Sequence, residues 1–109
     1  MTLDKKIFSG IWHTIHVTGV WADSSEKFIF FCKWLRLQVE NLPCEECRKH
    51  AREYLQHNPP EKSEDAFIYT WRFHNAVNKR LGKPEMDYDT AKNLYLYGNI
   101  KQCTNCFTK

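Results

Sequence analysis

Phe28-Ile29-Phe30-Phe31-Cys32-Lys33-Trp34-Leu35-Arg36-Leu37-Gln38-Val39-Glu40-Asn41-Leu42 is the stretch that decides the architecture. Phe28, Phe31, Cys32, Leu35, Val39 and Leu42 recur at intervals of three and four, so a backbone with 3.6 residues per turn gathers them on one face. A half-buried strand would instead alternate apolar and polar residues, and no such run occurs anywhere in the chain. Upstream, Asp23 followed by Glu26 predicts a capping box that opens this helix. Further back, Phe8, Trp12 and His16 fall four apart, as do Ile7, Ile11 and Ile15, which predicts a first helix from about Lys5 to Val20. Downstream, Pro43 interrupts the stripe. A proline is tolerated in the first turn of a new helix, so Cys44 to His57 reads as the third helix, closed by Asn58-Pro59-Pro60. Ser63 is the predicted cap of a fourth helix carrying Phe67, Trp71, His74, Asn78 and Leu81 on one side, and Gly82 with Pro84 stops it. Asp87 is placed to cap a short fifth helix ending near Gly98. The expectation is an all-α fold, a four-helix bundle plus a short fifth helix. Residues 99–109 have no periodicity and read as a mobile tail.

The chain has 109 residues, which allows one domain with one core. Its 42% hydrophobic and 27% charged content argue against disorder. Sixteen basic and 13 acidic residues leave a net charge of +3, dispersed along the chain, which excludes a nucleic-acid binder. The longest apolar run, Phe28 to Cys32, is far shorter than the ~20 residues that span a bilayer, and no secretory signal is visible at the N-terminus, so no membrane partner is expected. Aromatic residues make up 15% of the chain, more than a small core needs, and such a surplus fills an interface or surrounds a flat ligand.

Five cysteines cannot all pair within one chain, and four of them form two C-x-x-C pairs, Cys44/Cys47 and Cys103/Cys106. The first pair stands at a helix start, where unpaired N–H groups and the helix dipole stabilise a thiolate, the species that exchanges with disulfides. His50 lies one turn beyond Cys47. The same residues suit a zinc half-site, completed as a Cys₄ site by the second pair. Spacing alone leaves redox chemistry and metal binding both open. Cys32 sits on the apolar stripe as a small buried hydrophobe, and His13 and His57 have no evident functional partner.

The stretch Phe73-His74-Asn75-Ala76-Val77-Asn78-Lys79-Arg80-Leu81-Gly82-Lys83-Pro84 closely resembles the flavin-binding helix of the Erv/ALR sulfhydryl oxidases, H-N-x-V-N-x-x-L-G-K-P. Trp12 and His16 match the family's W-x-x-x-H, Pro43-Cys44-Glu45-Glu46-Cys47 its P-C-x-x-C, and the three motifs follow in the family's order across residues 8–98. The resemblance implies an oxidase domain over residues 1–98 that holds FAD, usually as a homodimer. It also implies that thiols of protein substrates become disulfides, with electrons passing through FAD to molecular oxygen to give hydrogen peroxide. Carried over, it makes Cys44 and Cys47 the flavin-proximal pair and Cys103 and Cys106 a shuttle on the tail of residues 99–109, with a static structural disulfide as the other reading of that pair; the chain from Gly98 to Cys103 spans at most roughly 17 Å. Trp12, His16, His50, His74, Asn75, Val77, Asn78, Lys83 and Tyr95 become the FAD contacts, with Lys83 as partner of a phosphate. A zinc-stabilised helical interaction module using all four cysteines is the alternative. Departures are present: Leu42 stands where many members have Tyr, Ser9 where an Arg is common, Tyr95 where a Trp is expected, and Gln56 where several cellular members place a structural cysteine. Leu42-Pro43-Cys44 with His50-Ala51 looks most like the small members of large DNA viruses. That likeness suggests host cytoplasm or virion as the compartment, with the mitochondrial intermembrane space as the other candidate.

Overall fold

The structure, a computed structural model, describes residues 5–98. Its elements are α1 (Lys5–Trp21), α2 (Ser25–Glu40), α3 (Glu45–His57), a 3₁₀ turn (Pro60–Lys62), α4 (Ala66–Arg80), α5 (Tyr88–Lys92) and a wide π-type turn (Asn93–Gly98). There is no strand among the described residues, and the expected all-α class holds. None of these helices is long and apolar enough to cross a membrane. The chain separates into two compact units, Met1–Thr70 and Trp71–Lys109.

In the first unit α2 packs against α1, α3 and the 3₁₀ turn. Its inward stripe is the one the sequence predicts: Phe31, Cys32, Leu35 and Val39 are buried, while Phe28 and Leu42 at its ends are only half-buried. Side chains of this size each contribute about 1.5–3 kcal/mol when fully removed from water. Ile15 of α1, Ala51 and Leu55 of α3, and Ala66 and Phe67 at the start of α4 complete the core. A two-pronged ion pair, Arg36 to Glu61 at 2.6 and 2.8 Å, joins α2 to the 3₁₀ turn. Tyr69 donates to the Asn58 carbonyl at 2.7 Å and fixes the turn that follows α3. α1 meets the first turn of α4 at Gly19, where a Cβ would lie 2.8 Å from Thr70 Cγ2 and 3.2 Å from Phe67 Cα. Only glycine lets the two backbones approach so closely.

Two helix starts differ from the sequence expectation. α2 is capped by Ser24, whose Oγ accepts from the Lys27 N–H at 3.3 Å, and Asp23 instead pairs with the Lys27 ammonium. Glu26 therefore stands in the first turn, favourable to the dipole but not the third-position partner of a capping box. α4 is capped by Asp65, which accepts from the Ile68 N–H at 2.8 Å, whereas Ser63 donates to the Asp65 carbonyl. The physical reason is Pro59-Pro60: the chain continues into a 3₁₀ turn through Lys62, and the helix start shifts downstream. Asp87 caps α5 as expected, accepting from the Thr90 N–H at 3.1 Å.

The second unit holds most of α4, α5 and the π-type turn, with Phe73, Ala91 and Tyr95 buried. α4 ends in a Schellman arrangement: Lys83 N–H donates to the Asn78 carbonyl at 2.8 Å, Gly82 N–H to the Lys79 carbonyl at 3.2 Å, and Gly82 takes φ +72.

Candidate active site

Cys44 is the N-cap of α3. Its backbone is extended, so its Sγ turns back over the first turn and accepts from the Cys47 N–H at 3.3 Å. Both cysteines are thiols, and both are half-buried and so reachable from solvent. Hydrogen bonds from the Cys47 thiol and its backbone N–H hold the Cys44 thiol below the ordinary cysteine value, while burial and the Glu46 carboxylate oppose the shift. One of the orphan N–H groups of the helix start, that of Cys47, is thereby directed at the Cys44 sulfur. Arg48 donates to the Leu42 carbonyl and ties the Leu42-Pro43 approach to the helix it precedes. His50, expected to touch a cofactor, lies one turn on with its Nε2 3.0 Å from Glu46. Cys32 is different in kind: burial pushes its thiol up to about 11.

Trp12 and His16 come together on α1, ring centroids 6.0 Å apart and planes tilted by 30°. His16 is buried, with Nδ1 3.0 Å from Thr70 Oγ1. The Thr70 hydroxyl has one proton and donates it to the Phe67 carbonyl at 2.7 Å, so His16 must donate through Nδ1–H. In the neutral ring Nε2 is then the acceptor nitrogen. Phe67 meets the His16 ring edge-on at 6.3 Å. Thr70 and Gly19, which set the place and tautomer of His16, escaped the sequence reading. Gly19 carried a signal in its three-residue spacing from His16, but Thr70, 54 positions away, carried none.

On α4, His74, Asn75, Val77 and Asn78 are all half-buried, and Lys83 is exposed just past the Gly82 stop. Asn75 is committed to Met86: its Nδ2 donates to the Met86 carbonyl at 2.7 Å and its Oδ1 accepts from the Met86 N–H at 2.8 Å. Trp71 Nε1 donates to the same carbonyl at 2.7 Å. Tyr95 is buried, and that burial raises its hydroxyl pKa. Cys103 and Cys106, the expected second pair, lie outside the described residues. Among those described, no three His, Cys, Asp or Glu side chains converge on a point where a metal ion could sit.

A P-C-x-x-C with half-buried cysteines at a helix start, a buried His beside a Trp, and a polar stripe ending in Gly-Lys-Pro define a class of helical redox protein. Residues 9–96 match the sequence pattern of the Erv1 / Alr family. The FAD-linked sulfhydryl oxidase of one African swine fever virus isolate is 38% identical over 90 residues, covering 77% of this chain and 75% of the viral protein. That of a second isolate is 37% identical over 96 residues, covering 83% and 80%. Sulfhydryl oxidase 2 of Arabidopsis thaliana is 30% identical over 91 residues, 81% of this chain but 18% of the plant protein. The chain belongs to the Erv1 / Alr family.

Proposed function

We propose that this protein is an FAD-dependent sulfhydryl oxidase that introduces disulfides into protein substrates. The observation that carries the reading is the reachable Cys44/Cys47 pair at the start of α3, its first thiol acidified by Cys47, in a chain of this family. A substrate dithiol attacks the Cys44–Cys47 disulfide, a mixed disulfide forms, and the second substrate thiol resolves it. The products are a substrate disulfide and the enzyme dithiol seen in the structure. FAD, when bound, would supply a two-electron acceptor for the reduced Cys44/Cys47 pair, with oxygen as final oxidant and hydrogen peroxide as product.

Each unit carries side chains whose chemistry suits a flavin. Trp12 and His16 offer flat aromatic surfaces. His74, Val77 and Asn78 offer a half-buried mixed stripe, and Lys83 an exposed ammonium suited to a phosphate. His50 and Tyr95 are further candidates. The oxidase domain is residues 1–98, with Cys103 and Cys106 on the segment beyond it relaying electrons from bulky substrates.

A second copy of the chain is the proposed partner. Ile7, Gly10, Thr14, Val17 and Trp21 form an exposed seam on α1 with alternating three- and four-residue spacing, and Phe30 of α2 meets Trp21 edge-on at 5.9 Å while staying exposed. Phe30→Glu then yields a monomer in sedimentation; an unchanged oligomer size contradicts this pairing. Likeness to viral oxidases favours host cytoplasm or virion as the place of action. The test of function is stoichiometric. With FAD bound, the protein consumes oxygen and forms peroxide in equimolar amounts with each dithiol oxidised. A colourless protein that releases zinc on thiol modification would contradict it.

A further inference from the structure

We propose that Asn75 is a positioning residue that clamps the loop carrying Lys83, not a ligand of the flavin. Both polar atoms of its amide face one residue's backbone, with Nδ2 on the Met86 carbonyl at 2.7 Å and Oδ1 on the Met86 N–H at 2.8 Å. Trp71 Nε1, one turn earlier on α4, fills the other lone pair of that carbonyl at 2.7 Å. Trp71 is held in turn against Tyr88, ring centroids 5.1 Å apart. At its opposite end the loop is fixed by the Lys83 N–H on the Asn78 carbonyl and by Gly82 at φ +72. Only Lys83, Pro84 and Glu85 lie between Gly82 and Met86, and the Pro84 ring restricts its own φ. A charged side chain on a free loop would lose backbone freedom each time it met an anion. Here that freedom is already removed, which raises affinity without a new contact. Asn75 therefore reaches the cofactor through Lys83. The inference rests on the proposed flavin function and on Lys83 meeting a phosphate.

The test compares wild type, Asn75→Ala, Lys83→Ala and the double variant, with FAD itself as the probe, titrated at low and high salt. Lys83→Ala weakens FAD binding about tenfold and flattens its salt dependence. Asn75→Ala weakens it about tenfold and also flattens the salt dependence, while the visible spectrum of bound flavin stays as in wild type. The double variant is no weaker than about the Lys83→Ala value, because the two residues act in series. Trp71→Phe keeps the ring against Tyr88, removes one donor, and gives about a threefold loss in the same direction. Hydrogen exchange of the Met86 amide, read without flavin, speeds up in Asn75→Ala and not in Lys83→Ala. Multiplying losses in the double variant, a shifted flavin spectrum in Asn75→Ala, or an unchanged Met86 amide would each overturn the proposal. A Lys83→Ala protein with wild-type FAD affinity overturns it as well. Wild type that binds no FAD removes the proposed function too, and so separates the two failures.

Discussion

Cys44 and Cys32 are the same side chain in opposite surroundings. Cys44 caps α3, half-exposed, and hydrogen bonds from Cys47 favour its ionised form. Cys32 lies in the middle of α2, buried between neighbouring helices, and its thiol is pushed up to about 11. Its own carbonyl accepts from Arg36, but that contact touches the backbone, not the sulfur. The lesson is that hydrogen bonds from Cys47, thiol and backbone N–H, favour ionisation of one thiol, while burial opposes it at the other.

The largest expected effect separates the two positions by function. Cys44→Ser and Cys47→Ser each abolish dithiol oxidation, while Cys32→Ala leaves turnover per folded enzyme unchanged; an oxidase assay on flavin-loaded protein reads both. Next in size is reactivity. In the reduced protein, iodoacetamide labels Cys44 with a half-maximal pH below that of a free cysteine. With a pKa of about 11 for Cys32, fewer than roughly one in a thousand of those thiols ionise near pH ~8. Mass spectrometry of the labelled native protein should therefore find Cys32 unmodified. Equal labelling of the two would erase the comparison.

Smaller effects concern stability. Cys32→Ala removes a buried sulfur and lowers unfolding free energy by roughly 1 kcal/mol. It also changes the alkaline limb. A thiol whose folded value is raised stabilises the native state below its unfolded value of 9.0, and that stability is lost as pH climbs toward about 11. Urea melts of wild type across that window decline with pH from this cause, and those of Cys32→Ala decline less. The smallest change is Arg36→Ala. Its pair with Glu61 is half-exposed on both sides, so its loss costs no more than about 1 kcal/mol and leaves Cys44 labelling untouched.

The sequence made the helices and the chemistry legible for the same reason: both depend on local spacing. The α2 stripe, the Gly82 stop, the Asp87 cap and the placing of Cys44 at a helix start all follow from residues within one or two turns of each other. The shifted starts at Ser24 and Asp65 show the limit of that reading, since several polar residues could cap and only the path of the incoming chain chooses. His16 was legible as a residue but not its state, because the tautomer is set by Thr70 from another helix. Asn75 reads, through the family resemblance alone, as a flavin contact. Its pairing with Met86 depends on the loop turning back, which no periodicity encodes.

The most direct test of the central claim is anaerobic mixing of the flavin-loaded protein with a small dithiol while the visible flavin absorption is followed. The account predicts that the wild-type flavin bleaches and recovers when oxygen is admitted, and that Cys47→Ser binds flavin equally well but does not bleach. Bleaching of Cys47→Ser at the wild-type rate, or a wild-type protein with no flavin absorption, would contradict it.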